Sequence, residues 1–186
     1  MRVLSFLISA RVMAGTFLLA SPSVAAPATQ SSFDASVGFR YGFPSGDSRW
    51  NPFGAGLGLD LGYTLKFPVH LGGTLEYFFG SERESDGLVQ TSRSLHVLGQ
   101  GGYDLGLGER FVLRPELGIG LARVRDENCQ ASANCSHSNL NAGVVAAGMK
   151  LIWVTPGPSV TLGARYELMF HEFAAAAVVI SAGVGF

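Results

Sequence analysis

The chain has 186 residues, a formal charge of −1 at pH 7, 25 glycines and only 15% charged residues. That composition is too apolar and too glycine-rich for a disordered chain, its length suits one domain, and it lacks the basic excess a nucleic-acid partner requires. Mean hydropathy is positive, yet after residue 30 no uncharged apolar run approaches the roughly 18 residues of a helical span, so any membrane signal must lie in alternation.

Residues 1–28 carry Arg2 near the start, an apolar stretch interrupted by Arg11, and the small residues Ser23 and Ala25. This pattern predicts a secretory signal cleaved near Ala25 or Ala28, followed by a domain over residues 29–186. No cysteine lies near the cleavage point, which argues against a lipid-modified anchor.

From Ser32 onward the side chains sort with period two, the signature of strands. Phe33, Val37, Phe39, Tyr41 and Phe43 oppose Asp34, Ser36, Gly38, Arg40 and Gly42. Over residues 53–65, Phe53, Ala55, Leu57, Leu59, Leu61, Tyr63 and Leu65 oppose Gly54, Gly56, Gly58, Asp60, Gly62 and Thr64. Leu71, Leu75, Tyr77 and Phe79 then oppose Gly72, Thr74, Glu76 and Phe78, and Leu95, Val97 and Tyr103 oppose Ser94, His96, Gln100 and Asp104, with Leu98 an exception.

Next, Leu117, Ile119 and Leu121 oppose Arg114, Glu116, Gly118 and Gly120. A less regular segment places Val145, Ala147, Met149, Leu151 and Trp153 outward and Lys150 inward. Leu162, Ala164, Tyr166, Leu168 and Phe170 oppose Arg165 and Glu167, and residues 173–186 supply an uncharged eighth strand ending in Phe186.

Alternation alone also suits a soluble sandwich, whose second face is rich in Lys, Glu and Thr. Here the second face is dense in glycine with a few charges at mid-strand, which suits a narrow lumen. The connectors alternate between long (44–52, 81–90, 125–138) and short (66–69, 106–109, 156–159), with a short one at 171–173 where a long one is due. Short turns on one side and longer loops on the other are the habit of outer-membrane barrels. Aromatic residues near strand ends, with Trp50 and Trp153, fit girdles at the two interfaces.

The sequence thus resembles the small eight-stranded outer-membrane barrels of the OmpA/OmpX type. The resemblance implies an all-β, eight-stranded antiparallel up-and-down transmembrane β-barrel in the bacterial outer membrane, with both termini on the periplasmic side. It further implies contact with outer-membrane lipid and lipopolysaccharide, and recognition of the last strand, ending in Phe186, by the barrel-assembly machinery.

Seven inward residues, Asp60, Glu76, Gln100, Arg114, Glu116, Lys150 and Arg165, lie about 13 to 20 Å up their strands from the nearest short turn at ~3.3 Å per residue. Glu167 faces the same way. Charges this close and this enclosed must pair, so a salt-bridge network across the lumen is predicted. Eight strands enclose an interior that side chains can fill, so a plug is expected rather than a pore.

Cys129 and Cys135 are the only cysteines. In an exported chain they are expected to form a disulfide closing a short loop, in preference to a metal site with His137. The stretch from His137 to Gly143 faintly resembles the His-x-Ser-Asn-Ala-Gly element of lipid A 3-O-deacylases, but adjacent His137 and Ser138 point to opposite sides of a strand. Arg49, Arg83, Arg93, Arg123 and Arg125 fall near the ends that carry long loops, among Glu82, Glu84, Asp86, Asp126 and Glu127, as lipopolysaccharide contacts or as a solvated rim. His96 and His171 are expected at the lumen or rim, satisfied by neighbours.

The resulting expectation is a non-enzymatic barrel with a plugged lumen and no cofactor, serving envelope integrity or presenting its loops to an extracellular partner that the sequence does not name. A narrow gated channel and a lipid A-modifying enzyme using His137 or Ser138 are the alternatives.

Overall fold

The computed structural model describes residues 32–45, 52–85, 88–130, 135–170 and 175–186. The predicted signal segment 1–28, together with Arg49, Trp50, Asp86 and His171, lies outside them. The described residues hold no helix.

Eight strands carry the fold: β1 (Ser32–Ser45), β2 (Ala55–Thr64), β3 (Val69–Ser85), β4 (Leu88–Tyr103), β5 (Phe111–Gln130), β6 (Cys135–Trp153), β7 (Ser159–Phe170) and β8 (Ala175–Gly185). A two-residue extension of the ladder, Leu105–Gly106, leads from β4 into the next turn. Every strand pairs antiparallel with its chain neighbour, and β8 pairs with β1 to close the cylinder. Closure reaches the last residue: Phe186 N–H donates to the Ala35 carbonyl at 2.8 Å, and Ala35 N–H donates back at 3.2 Å. Within the closed part of the cylinder every strand is paired on both sides, so its backbone groups there are satisfied internally, whereas among the described residues β3 beyond Gly80 and β6 before Gly143 are paired on one side only.

The outer wall is apolar around the barrel, with Phe39, Leu59, Leu75, Val97, Ile119, Met149, Leu162 and Ile180 all exposed. On β5 the outward residues Leu117, Ile119 and Leu121 are each more than two-thirds exposed. Contiguous apolar surface of this extent marks contact with something other than water. Aromatic residues ring both ends: Phe33, Tyr63, Tyr103, Phe111 and Trp153 near the termini, and Tyr41, Phe43, Tyr77, Phe79 and Phe170 at the far end. From Phe33 to Phe43 the chain rises about 33 Å, and a strand tilted about 40° spans roughly 25 Å of barrel height with that rise, the height of the apolar band of such barrels.

Two expectations change. Phe53 is buried rather than outward. It precedes the strand, and Gly54, at φ 132°, turns the chain so that the ring enters the lumen and packs at 5.6 Å edge-on to Phe78. The predicted connectors 81–90 and 125–138 are largely strand: β3 and β4 pair out to Ser85 and Leu88, β5 and β6 out to Cys129 and Cys135, and β4 and β5 out to Leu88 and Gln130. Four neighbouring strands therefore rise as one sheet beyond the shorter β2, which has 10 residues against 20 in β5. Above the apolar belt both faces meet water, so hydrophobic contrast fades from the sequence while the backbone ladder continues. Cys129 and Cys135 face one another across this hairpin and form a disulfide, which leaves neither thiol free.

Candidate functional site

Inward positions alternate small and charged, and the small ones make room for the charged ones. A Cβ at Gly58 would come within 2.7 Å of Nε of Arg40, so this glycine vacates the volume that the guanidinium fills. Neighbouring strands then aim their acids and bases at one another across the lumen.

The central cluster is continuous. Arg40 donates from Nε to Glu76 Oε1 at 2.7 Å and from Nη2 to Asp60 Oδ2 at 2.7 Å. Asp60 also accepts from Thr74 Oγ1 at 2.6 Å and from Ser36 Oγ at 3.0 Å, and Lys150 Nζ stands 3.4 Å from it and 3.6 Å from Glu116. Arg165 bonds Glu76 on one side and, from Nε, Glu167 Oε1 at 2.6 Å on the other. His96 Nδ1 lies 3.0 Å from Glu167 Oε2. Glu76, His96 and Glu167 are fully buried. They sit close enough to hold a metal ion, but both carboxylates are already engaged by arginines, so the donor set is that of an ion-pair network.

Arg114 belongs to a second cluster nearer the termini. It grips Asp104 through Nε and Nη2 at 2.5 and 3.0 Å, the two-point geometry favoured by guanidinium and carboxylate, and reaches Asp34 at 3.2 Å. Thr64 and His70 complete this group, with Thr64 Oγ1 donating to Asp104 at 3.2 Å. A cavity of about 50 Å³ lined by Asp60, Lys150, His70 and Arg114 lies between the clusters, room for a few waters. No buried side-chain nitrogen or oxygen among the described residues lacks a partner.

Of the seven charges predicted as one lumen network, Asp60, Glu76, Glu116, Lys150, Arg165 and Glu167 fall in the first cluster and Arg114 in the second. Sequence reasoning left out Arg40, His96, Asp34 and Asp104, although all four have inward parity. Position along the strand does not reveal which acid a long arginine side chain will reach.

Toward the far end the lumen turns apolar. Phe53, Phe78, Leu98, Val124, Val144 and Met169 are all essentially inaccessible, which explains Leu98 as an inward residue. Beneath the two rings a Ser-His-Glu arrangement appears that the sequence reading missed: Ser94 Oγ lies 3.0 Å from His96 Nε2, whose Nδ1 faces Glu167. Ser94 donates its hydroxyl to the Pro52 carbonyl at 2.9 Å, and Phe53 and Phe78 pack against the imidazole at 5.6 and 5.0 Å. The hydroxyl is committed and enclosed. His137 and Ser138 are exposed neighbours on β6, and His137 lies 3.6 Å from Glu127.

This architecture, a closed eight-stranded antiparallel cylinder with an apolar wall and a charged interior, defines the class of small outer-membrane β-barrels. No protein-family profile matches the chain, and no curated protein sequence matches it. Solved structures do: neisserial surface protein A (NspA) is 16% identical with a TM-score of 0.59, covering 84% of this chain and 98% of that one. Ail, the attachment invasion locus protein of Yersinia pestis, is 14% identical at a TM-score of 0.62, covering 85% and 100%. A major outer membrane protein from Thermus thermophilus is 12% identical at 0.60, covering 83% and 100%. At these identities the likeness is one of fold.

Proposed function

We infer that the mature chain is a non-enzymatic, integral outer-membrane barrel whose lumen is closed to ions and whose far-end sheet faces the outside. One observation carries this reading: polarity is inverted, with the charges paired inside and the wall apolar. Lipid solvates that wall, and closure leaves no backbone group bare in hydrocarbon. An ion crossing the lumen would have to part Arg40 and Arg165 from Glu76 and then displace the apolar layer of Phe53, Phe78 and Met169.

Residues 1–28 serve as the export signal, the last strand as the element read by the assembly machinery, and the far-end hairpins of β3–β4 and β5–β6 as the surface offered to partners or to envelope neighbours. Two structural neighbours, a neisserial surface protein and an attachment invasion locus protein, support an outward-facing role. Against an enzyme stand the enclosed Ser94 and the diverging His137 and Ser138.

The test is single-channel recording of the refolded mature chain in a planar bilayer, wild type beside Arg114→Ala. Silence in both is expected from protein shown to be folded. Discrete openings that the substitution makes larger or more frequent would replace the closed barrel with a gated channel.

A further inference from the structure

Glycines on the two faces of the barrel wall differ in what surrounds them. Inward ones are dictated by their neighbours: a Cβ at Gly62 would strike the His70 ring, as one at Gly58 would strike Arg40. Gly73, Gly99 and Gly101 face outward instead, Gly73 between Leu71 and Leu75 on β3, and the other two between Val97 and Tyr103 on β4. A Cβ at Gly99 or Gly101 would meet nothing nearer than 3.8 Å, one at Gly73 would make an ordinary contact at 3.4 Å, and none of the three has a positive φ. A single copy of the barrel therefore has no steric need of glycine here, and glycine inside a strand weakens it unless another chain approaches closely.

Together these glycines leave a pit in the apolar wall. Gly73 stands directly opposite Gly99 across the β3–β4 ladder, and Gly101 opposite Leu71. From Gly101 a groove of about 500 Å³, lined by Tyr103, Pro115, Leu117 and Ala147, continues toward the termini. Beside the pit stands a ridge: Leu117, Ile119 and Leu121 on β5 are 68–69% exposed, the most exposed aliphatic side chains among the described residues. Ile119 is directly opposite Gly99 and Leu117 opposite Gly101, so ridge and pit lie side by side. A strand tilt of about 40° offsets neighbouring strands by only about 3 Å in depth, half the spacing of successive outward side chains.

We propose that a second copy of this chain packs here, with the β5 ridge of each copy seated in the β3–β4 pit of the other. Copies inserted in one membrane stand the same way up, so a two-fold axis along the membrane normal relates them. Such an axis joins ridge to pit only where both lie at one depth, as the ladder places them. Leu71, Leu75, Val97, Tyr103 and the three ridge residues are each at least 45% exposed and together present on the order of 800 Å², the share that one partner of a stable interface contributes. In hydrocarbon apolar burial gains nothing over lipid, so association depends on packing, and small residues let a partner's side chains reach the backbone. A ridge already fixed by its strand fills the pit without the ordering that an acyl chain would undergo. The proposal rests on the membrane reading above.

The mature chain, labelled at its N-terminus with donor or acceptor dye, is refolded into phosphatidylcholine vesicles, and energy transfer between copies is followed as lipid dilutes the protein. Gly99→Phe fills the pit at a position where the barrel itself has room, and Ala182→Phe places the same ring on β8, away from the pit. Insertion is verified by the gel mobility of unheated samples. Wild type and Ala182→Phe are expected to pair alike, and Gly99→Phe about tenfold more weakly. Transfer in wild type no greater than random proximity predicts leaves the pit to acyl chains and overturns the proposal. Equal pairing by Gly99→Phe, or an equal loss in Ala182→Phe, overturns it as well. If Gly99→Phe does not fold, Ile119→Ala trims the ridge instead, and unchanged pairing there overturns the proposal. Failure of wild type to insert at all would instead overturn the membrane reading.

Discussion

Removing Glu76 is the sharpest test of how the lumen is held together. This carboxylate is fully buried, accepts from Arg40 at 2.7 Å and from Arg165, and so joins the Asp60–Lys150–Glu116 half of the central cluster to the Glu167–His96 half. Glu76→Ala leaves two buried guanidinium groups with one carboxylate each, Asp60 for Arg40 and Glu167 for Arg165. Breaking a buried pair from one side costs about 3–5 kcal/mol. Glu76→Gln keeps the volume and one acceptor oxygen, so roughly 1.5–3 kcal/mol is expected. A Glu76→Leu, Arg165→Met double variant removes charge of both signs and should recover part of the loss, a coupling that a double-mutant cycle measures. Equilibrium urea unfolding in lipid vesicles, followed by tryptophan fluorescence, supplies the free energies. A Glu76→Ala protein within about 1 kcal/mol of wild type, or a double variant whose cost is the sum of its parts, would mean that the lumen charges are solvated individually and form no network.

On the outer face, Leu59→Arg should lower stability in the same assay by about 2–4 kcal/mol if the residue lies near the midplane; a near-neutral result beside strong damage from Asp60→Leu would invert the assignment of faces. Gly54→Ala puts a side chain at φ 132° with its Cβ 2.9 Å from the Gly80 carbonyl oxygen, so a loss of about 1–3 kcal/mol is expected, and an unchanged urea midpoint would remove Gly54 as the residue that turns Phe53 inward. A fluorophosphonate probe should leave Ser94 unlabelled in the folded protein, because its hydroxyl is bound to the Pro52 carbonyl and its side chain is buried; rapid labelling lost in Ser94→Ala would reveal an open nucleophile and reinstate an enzyme.

What the sequence determined by itself is the face of each strand residue within the apolar belt, from Phe33 and Asp34 to Val184 and Gly185. A period of two leaves only two choices per strand, and burial against water or lipid selects between them. The disulfide was legible for a similar reason, two cysteines being the whole supply. Three features were decided only in three dimensions. Phe53 broke the alternation because the chain bends at Gly54, just outside the strand, at a positive φ, and the ring lies buried in the lumen. Strands β3 to β6 ran on into apparent loops because their ladder needs neighbours, not hydrophobic contrast. The charges divided into two clusters, with Arg40 at the centre of one and Arg114 in the other, because partner choice depends on the stagger between strands far apart in sequence. Parity is a local property of the chain, whereas the reach of a guanidinium across the lumen exists only once the cylinder has closed.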